Sequence, residues 1–339
     1  METAAAKHVV TKANAALAAA SMAAERPRNR QKESGDGSRL LATADRARVV
    51  GCWFVSVIAL QPTTAASQDA TTQPAAIEAA QRTSLEDEAE NTGGDFIRPL
   101  NLFQLMYFYK TAPGSGAEKG TISEVTTDTV NLRVNARFDL NSQWALGLRS
   151  DLPLLAKNPI SSSNPDGDYL YGVGDADIQA ALLYQPDARW GAGFGARLVA
   201  PTGGDTLGSG KWQIMPGVAV RYALPEVSEG SYLEPLVRYD VSFAGDPAKK
   251  NISNLQFAPT FNVSLPDRWF ITLYPSADIR VNYGDPVTGQ TGRLFLPFDA
   301  RVGRKITDNV ALSVEVGVPI IRDYPVYNFK TQVRLNLTF

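Results

Sequence analysis

The strongest constraint on this chain is the strict alternation of apolar and polar residues at its C-terminal end. Tyr327, Phe329, Thr331, Val333, Leu335, Leu337 and Phe339 fall on one face of an extended segment, and Asn328, Lys330, Gln332, Arg334, Asn336 and Thr338 on the other. Successive side chains of a strand point to opposite sides, so one face suits lipid and the other water. Residues 130–140 repeat the pattern, with Val130, Leu132, Val134, Ala136, Phe138 and Leu140 alternating with Asn131, Arg133, Asn135, Arg137 and Asp139. Residues 310–318 repeat it again.

Such segments recur at 100–111, 126–140, 143–154, 172–185, 189–201, 211–224, 231–243, 252–265, 268–283, 292–303, 309–321 and 326–339. A tilted strand crosses a bilayer in roughly 9–11 residues, so each is long enough. Short connections such as Asn141-Ser142, Pro186-Asp187-Ala188 and Pro266-Asp267 alternate with longer ones rich in Gly, Pro and Asp. Short turns on one side and long loops on the other fit a bacterial transmembrane barrel. The expectation is an all-β, antiparallel up-and-down barrel of about twelve strands over residues 99–339, with both termini periplasmic. Phe138, Trp144, Tyr184, Trp190, Tyr222, Trp269 and Phe339 are expected in a periplasmic aromatic girdle, and Trp212, Phe243, Tyr283 and Tyr327 in an outer one. A soluble sandwich or lipocalin-like barrel would need a dry inner face, whereas here the charges are enclosed. Prolines inside strands, at 153, 201, 216, 235, 259, 275, 297 and 319, remove ladder donors and predict bulges.

Upstream, residues 1–45 are rich in alanine and arginine and are read as a disordered extension or a start assigned too early, with Met22 or a later codon as the beginning. Residues 46–67 have a signal-peptide profile: Arg46 and Arg48, an apolar core over 49–60, then Ala65 and Ser67 before Gln68. Residues 68–98 are polar and acidic and are expected to form a periplasmic arm or a plug in the lumen.

Charge and residue usage exclude several classes. The chain has 33 basic and 35 acidic residues, so a nucleic-acid partner is not expected. It has a single cysteine, Cys52, and a single histidine, His8, both upstream of the barrel. Phospholipases and proteases built on barrels need a histidine as general base or orienter, and none follows Gln68. No enzyme, cofactor or metal is therefore expected, a calcium site at Asp175 and Asp177 being the weaker alternative.

Three motifs stand in register with the strands: Gly172-Val173-Gly174-Asp175-Ala176-Asp177, Leu198-Val199-Ala200-Pro201-Thr202-Gly203, and Leu207-Gly208-Ser209-Gly210. With the terminal Phe339, they make residues 95–339 resemble the outer-membrane transporters of the MetA-pathway (meta-pathway) phenol degradation family. The resemblance implies an outer-membrane channel that admits small hydrophobic or aromatic compounds, although the family name fixes no substrate. The first 67 residues have no counterpart in that pattern. An anion- or oligosaccharide-selective porin and a closed structural barrel are the alternatives. Expected partners are outer-membrane lipid, a small solute and the barrel-assembly machinery, with Phe339 as the assembly signal.

The inward face carries the candidate lumen residues. Arg149 with Asp151, Arg238 with Asp240, Asp278 with Arg280, and Asp299 with Arg301 stand two apart on one face. Arg133, Arg137, Arg197, Arg221 and Glu315, with Asp175 and Asp177, complete the set. Either these charges form a network that stiffens the barrel, or they line a selectivity region; a constriction can do both. Arg133, Arg137, Arg197 and Arg221 are expected to be the unpaired surplus. Gly191, Gly193 and Gly195 are read as inward glycines that leave space in the lumen or relieve curvature, since no helix follows them to make a phosphate loop.

Overall fold

The structure, a computed structural model, describes residues 92, 94–116, 118, 121–161 and 164–339. The expected extension, the signal segment and most of the expected arm lie outside the described residues. Alternation produces fourteen strand segments: β1 (Leu102–Ser115), β2 (Ile122–Asp139), β3 (Trp144–Lys157), β4 (Leu170–Val173), β5 (Ala176–Tyr184), β6 (Trp190–Ala200), β7 (Lys211–Ala223), β8 (Tyr232–Gly245), β9 (Ser253–Leu265), β10 (Trp269–Leu273), β11 (Ile279–Asn282), β12 (Leu294–Thr307), β13 (Val310–Arg322) and β14 (Phe329–Thr338). β4 and β5 both pair with β3 and are halves of one stave. β10 and β11 both lie between β9 and β12 and form another. The result is a closed antiparallel barrel of twelve staves, sealed by β1 pairing with β14 from Leu102↔Thr338 to Thr111↔Phe329. β1 begins and β14 ends at the rim that carries the short turns.

Burial is inverted relative to a water-soluble fold. Gln104, Asp151, Glu234, Asp299, Glu315 and Gln332 are buried, while Ile178, Phe194, Val218, Phe243 and Ile320 are exposed. This arrangement removes the soluble alternative, because the apolar face points outward around a polar interior. Trp144 lies opposite Tyr184, with ring centroids 4.7 Å apart. Trp190 lies opposite Tyr222 at 4.8 Å. These pairs sit at the short-turn rim, where amphipathic rings straddle an interface. Tyr327 departs from the expectation: it is only 1% exposed, and its Oη donates to Asp299 at 2.6 Å inside the barrel. It precedes β14, so strand alternation does not govern it and the loop carries it into the lumen.

Most of the prolines fall where the ladder is interrupted, and only some make bulges. Pro297 and Pro319 lie opposite each other beside a register shift. Pro275 sits in the break between β10 and β11, and Pro153 faces the break between β4 and β5. Pro216 falls where β7 and β8 lose pairing between Ile214↔Val241 and Gly217↔Arg238. Pro201 directly follows β6. Pro235 and Pro259 are direct partners without a bulge, so both missing donors share one rung.

One glycine carries a packing role. Phe270 is buried opposite Gly303, and a Cβ at Gly303 would lie 2.3 Å from Phe270 Cζ. Gly303→Leu is therefore expected to lower stability by about 1–3 kcal/mol through overpacking. The midpoint of the heat-induced shift on a gel measures this; an unchanged midpoint would show that Phe270 does not rely on the gap.

Candidate functional site

The chain's own segment just before β1 packs into the lumen near the short-turn rim. Asp95 folds the segment by accepting from the backbone N–H of Ile97 at 3.0 Å and of Arg98 at 2.7 Å. The Glu234 carboxylate on β8 then accepts from Phe96 N at 2.9 Å and Ile97 N at 2.8 Å. Arg221 on β7 donates from Nε to Asp95 Oδ2 at 2.5 Å, and Gln185 Nε2 donates to the Ile97 carbonyl at 2.7 Å. Asp95, Glu234 and Arg221 are all buried, where charge-assisted bonds are stronger than between neutral groups. Ile97 is inserted among Ala145, Leu183 and Ala219, an apolar cluster inside an otherwise polar interior. The inward glycines explain the fit: a Cβ at Gly191 would lie 2.6 Å, and at Gly193 2.8 Å, from Ile97 side-chain carbons. The glycines leave space for the chain's own latch rather than for a solute.

Beyond the latch lie two cavities. One, of about 270 Å³, is lined by Phe96 and Ile97 together with Arg133, Arg149, Arg197, Arg238 and Arg334. The other, of about 420 Å³, is lined by Lys110, Lys157 and Lys330 and again by Arg133, Arg149 and Arg197. Those three arginines border both cavities. Asp151 holds two of them, Arg133 at 2.7 Å and Arg149 at 2.6 Å, and Asp177 lies 3.5 Å from Arg197. Together the cavities present eight basic side chains against Asp95, Asp151, Asp177 and Asp278.

A second charged cluster fills one side of the lumen. Lys330 Nζ reaches Asp278 at 2.6 Å, Glu315 at 2.7 Å and Asp299 at 3.4 Å. Arg301 pairs with Glu315 at 2.7 Å, and Arg280 with Asp278 at 3.1 Å. With its amide turned to satisfy both neighbours, Gln332 accepts from Arg334 Nε at 3.0 Å and donates to Glu315 at 3.2 Å.

These contacts revise the pairing expected from spacing. Arg149 with Asp151 and Asp278 with Arg280 do pair along one strand. Arg301 instead turns to Glu315 on the next stave, and Asp299 takes Tyr327 and Lys330. Arg238 donates to Gln256 Oε1 at 2.5 Å, and Gln256 in turn donates to Asp240 at 3.3 Å. Nor are the four expected surplus arginines unpaired. Arg133, Arg197 and Arg221 have the carboxylates named above, and Arg137 turns to the rim to meet Asp139 at 2.8 Å. The arginines of the cavities that form no ion pair among the described residues are Arg238 and Arg334. Spacing along a strand cannot reveal this, because cross-strand partners depend on register.

Asp175 does not line the lumen. It clasps the loop after β6, accepting from Gly203 N at 3.0 Å, Ser209 N at 2.6 Å and Ser209 Oγ at 2.7 Å. Thr202 Oγ1 donates to the Gly174 carbonyl at 2.6 Å and accepts from Ala176 N at 2.9 Å. A Cβ at Gly208 would lie 2.3 Å from Asp175 Oδ1. The three sequence motifs thus form one clasp, and it presents Leu207 to the larger cavity. Phe339 ends the chain at the short-turn rim, its side chain 76% exposed and its N–H donating to Asn101 O at 3.1 Å.

The family profile described as "Putative MetA-pathway of phenol degradation" matches residues 87–318. An outer membrane channel from Pseudomonas putida F1 superposes with a TM-score of 0.55 at 18% identity, covering 71% of this chain and 97% of that one. The KdgM porin aligns at 13% identity with a TM-score of 0.39, over 70% of this chain and 99% of its own. The translocator domain of the autotransporter NalP from Neisseria meningitidis aligns at 10% identity with a TM-score of 0.43, over 78% and 95%. Among curated proteins none matches. The fold is that of an outer-membrane barrel.

The latch yields a prediction. Removing the acceptor of buried N–H groups costs about 1–3 kcal/mol for each group left unsatisfied, so Glu234→Ala should release residues 95–98 from the wall. Single-channel conductance in a planar bilayer is expected to rise, and Gly193→Leu, which crowds Ile97, should raise it too. Native conductance in both variants would mean that the segment does not obstruct flow.

Proposed function

We propose that this chain, which belongs to the "Putative MetA-pathway of phenol degradation" family, is a narrow outer-membrane channel for small solutes that favours anions, carboxylated aromatic compounds among them. The carrying observation is the arginine layer between the two cavities. Eight-stranded barrels are filled by side chains and sixteen-stranded ones hold an open channel, so twelve staves leave a lumen that a few long side chains can constrict. Arg133, Arg149 and Arg197 stand at that constriction. Arg238 and Arg334 add charge without a direct ion pair among the described residues, and Lys110 and Lys157 extend the positive lining toward the long loops. A carboxylate passing through would exchange water for guanidinium donors in a fork geometry that suits it. The short turns, the start of β1 and the end of β14 at one rim support a periplasmic assignment for that rim.

This role is transport rather than catalysis, and the ion pairs around Lys330 serve to hold the wall rigid beside the pathway. Asp151, Asp177, Asp240, Asp278, Asp299 and Glu315 set the local charge against which the arginines act.

Reversal potential in a planar bilayer under a salt gradient tests the reading. Native protein is expected to prefer chloride over potassium, and Arg238→Ala with Arg334→Ala to reduce that preference more than Arg221→Ala does. The preference should weaken at high salt, because the Debye length falls from ~10 Å at 0.1 M to ~3 Å at 1 M. A cation preference would remove the reading, and absence of any current in the Glu234→Ala variant would favour a closed structural barrel.

The exposed terminal ring supports a role as an assembly signal. Deleting Phe339 is expected to leave unfolded protein in the periplasm, detected as loss of the heat-modifiable band; wild-type insertion would reduce Phe339 to a girdle aromatic.

A further inference from the structure

We infer that the outside of the wall carries a headgroup site, across β1 to β4 near the long-loop rim, for a membrane amphiphile that bears an ammonium group. The site faces lipid and does not depend on the channel reading. Register builds it. Tyr109 of β1 pairs with Asp128 of β2, Asp128 with Ala156 of β3, and Ala156 with Tyr171 of β4. One rung thus sets a carboxylate and a methyl group between two tyrosines. Tyr107, two residues along β1, shares their face. Tyr169, just before β4, brings its ring centroid within 6.3 Å of that of Tyr171, and the charge of Asp128 reaches it.

This face points away from the lumen. Tyr169, Tyr171, Leu105, Leu154 and Val173 are exposed, whereas the intervening Phe108, Lys110, Leu155 and Lys157 line the larger cavity. Height places the site at an interface. β3 starts at Trp144 in the short-turn girdle and reaches Ala156 near its far end. At ~3.3 Å per residue and a tilt of ~40°, that stretch rises ~30 Å, against an apolar band ~25 Å tall. Asp128 and its tyrosines therefore stand where hydrocarbon gives way to headgroups on the long-loop side.

The charge there lacks a counterpart. Tyr107 Oη donates to Asp128 Oδ1 at 2.5 Å, and among the described residues no basic side chain pairs with Asp128. Lys110 and Lys157, the nearest lysines along β1 and β3, turn to the lumen. Glu124, exposed farther along the same face of β2, adds a second negative charge. A carboxylate partly withdrawn from water is costly without a partner, and tyrosine rings attract cations through their faces. An inorganic ion would keep its own water. An alkylammonium instead offers carbon surface to the rings and positive charge to Asp128, and Ala156 leaves room for it. Chains attached to that head have a path. The next rung toward the membrane centre is Tyr107, Val130, Leu154 and Val173, and beyond it come Leu105, Leu132 and Leu152.

The test is native mass spectrometry of the purified protein, titrated with phosphatidylcholine, phosphatidylethanolamine and phosphatidylglycerol of identical acyl chains. The three share phosphate and chains and differ only in the end of the head. The choline lipid is expected to bind about tenfold more tightly than the glycerol lipid, with ethanolamine between them. Asp128→Asn should bring the choline and glycerol lipids within about twofold of each other, and Ala156→Leu, which fills the floor, should weaken the choline lipid alone. The heat-modifiable band shows that each variant is folded, and Asp128→Asn, which keeps the side chain's shape, decides the matter if Ala156→Leu does not assemble. A glycerol lipid bound as tightly as the choline lipid overturns the inference, as does an unchanged preference in Asp128→Asn; the Tyr107–Asp128 bond would then serve the wall alone. Free choline, which has no chains, should not displace the lipid at equal concentration. Displacement would make this a site for soluble cations and overturn the assignment to an amphiphile.

Discussion

Everything in this molecule follows from the need to pair backbone polar groups where there is no water. A stranded N–H or C=O in hydrocarbon costs several kcal/mol, so the sheet has to close, and β1 meets β14 over ten register pairs to do so. Closure then dictates the interior. Alternation puts every second side chain inside, and an outward face fit for lipid leaves the polar residues to be enclosed. The enclosed charges must find one another, because an unpaired buried charge is far more costly than a paired one. Lys330 among Asp278, Asp299 and Glu315 is that requirement met locally.

The same requirement makes the departures from it informative. The described lumen residues pair extensively, yet the two cavities retain more cationic than anionic side chains, and the arginines without an ion pair among the described residues, Arg238 and Arg334, line the smaller one. Near the opposite, short-turn rim the logic is reversed: Glu234 is satisfied chiefly by backbone N–H groups of Phe96 and Ile97 rather than by a basic side chain. Charge is used there to hold a piece of chain in place.

Much of this was legible in the sequence. The twelve alternating stretches correspond to the twelve staves because a period of two under a lipid constraint has few other solutions. The terminal strand shows it, with Lys330, Gln332, Arg334 and Asn336 all buried while Phe329 and Leu337 are exposed. What escaped was whatever depends on register or on non-strand chain. Arg301 finds Glu315 across a strand boundary, and Tyr327 enters the lumen from a loop. Asp95 has no periodic signal to mark it. The run Gly191, Gly193, Gly195 announced space without saying that Ile97 would occupy it.

The clasp around Asp175 bears on how resemblance among such barrels is to be understood. The short motifs that carry the resemblance in the sequence meet at a loop fastening, in which Asp175 grips Ser209 and Gly203 while Thr202 grips Gly174. The arginines between the cavities lie outside those motifs, apart from the shared stave that bears Asp177. Kinship recognised through the clasp therefore describes how the mouth is framed and is silent about cargo. Two barrels with the same fastening and different guanidinium layers would look like close kin and admit different molecules.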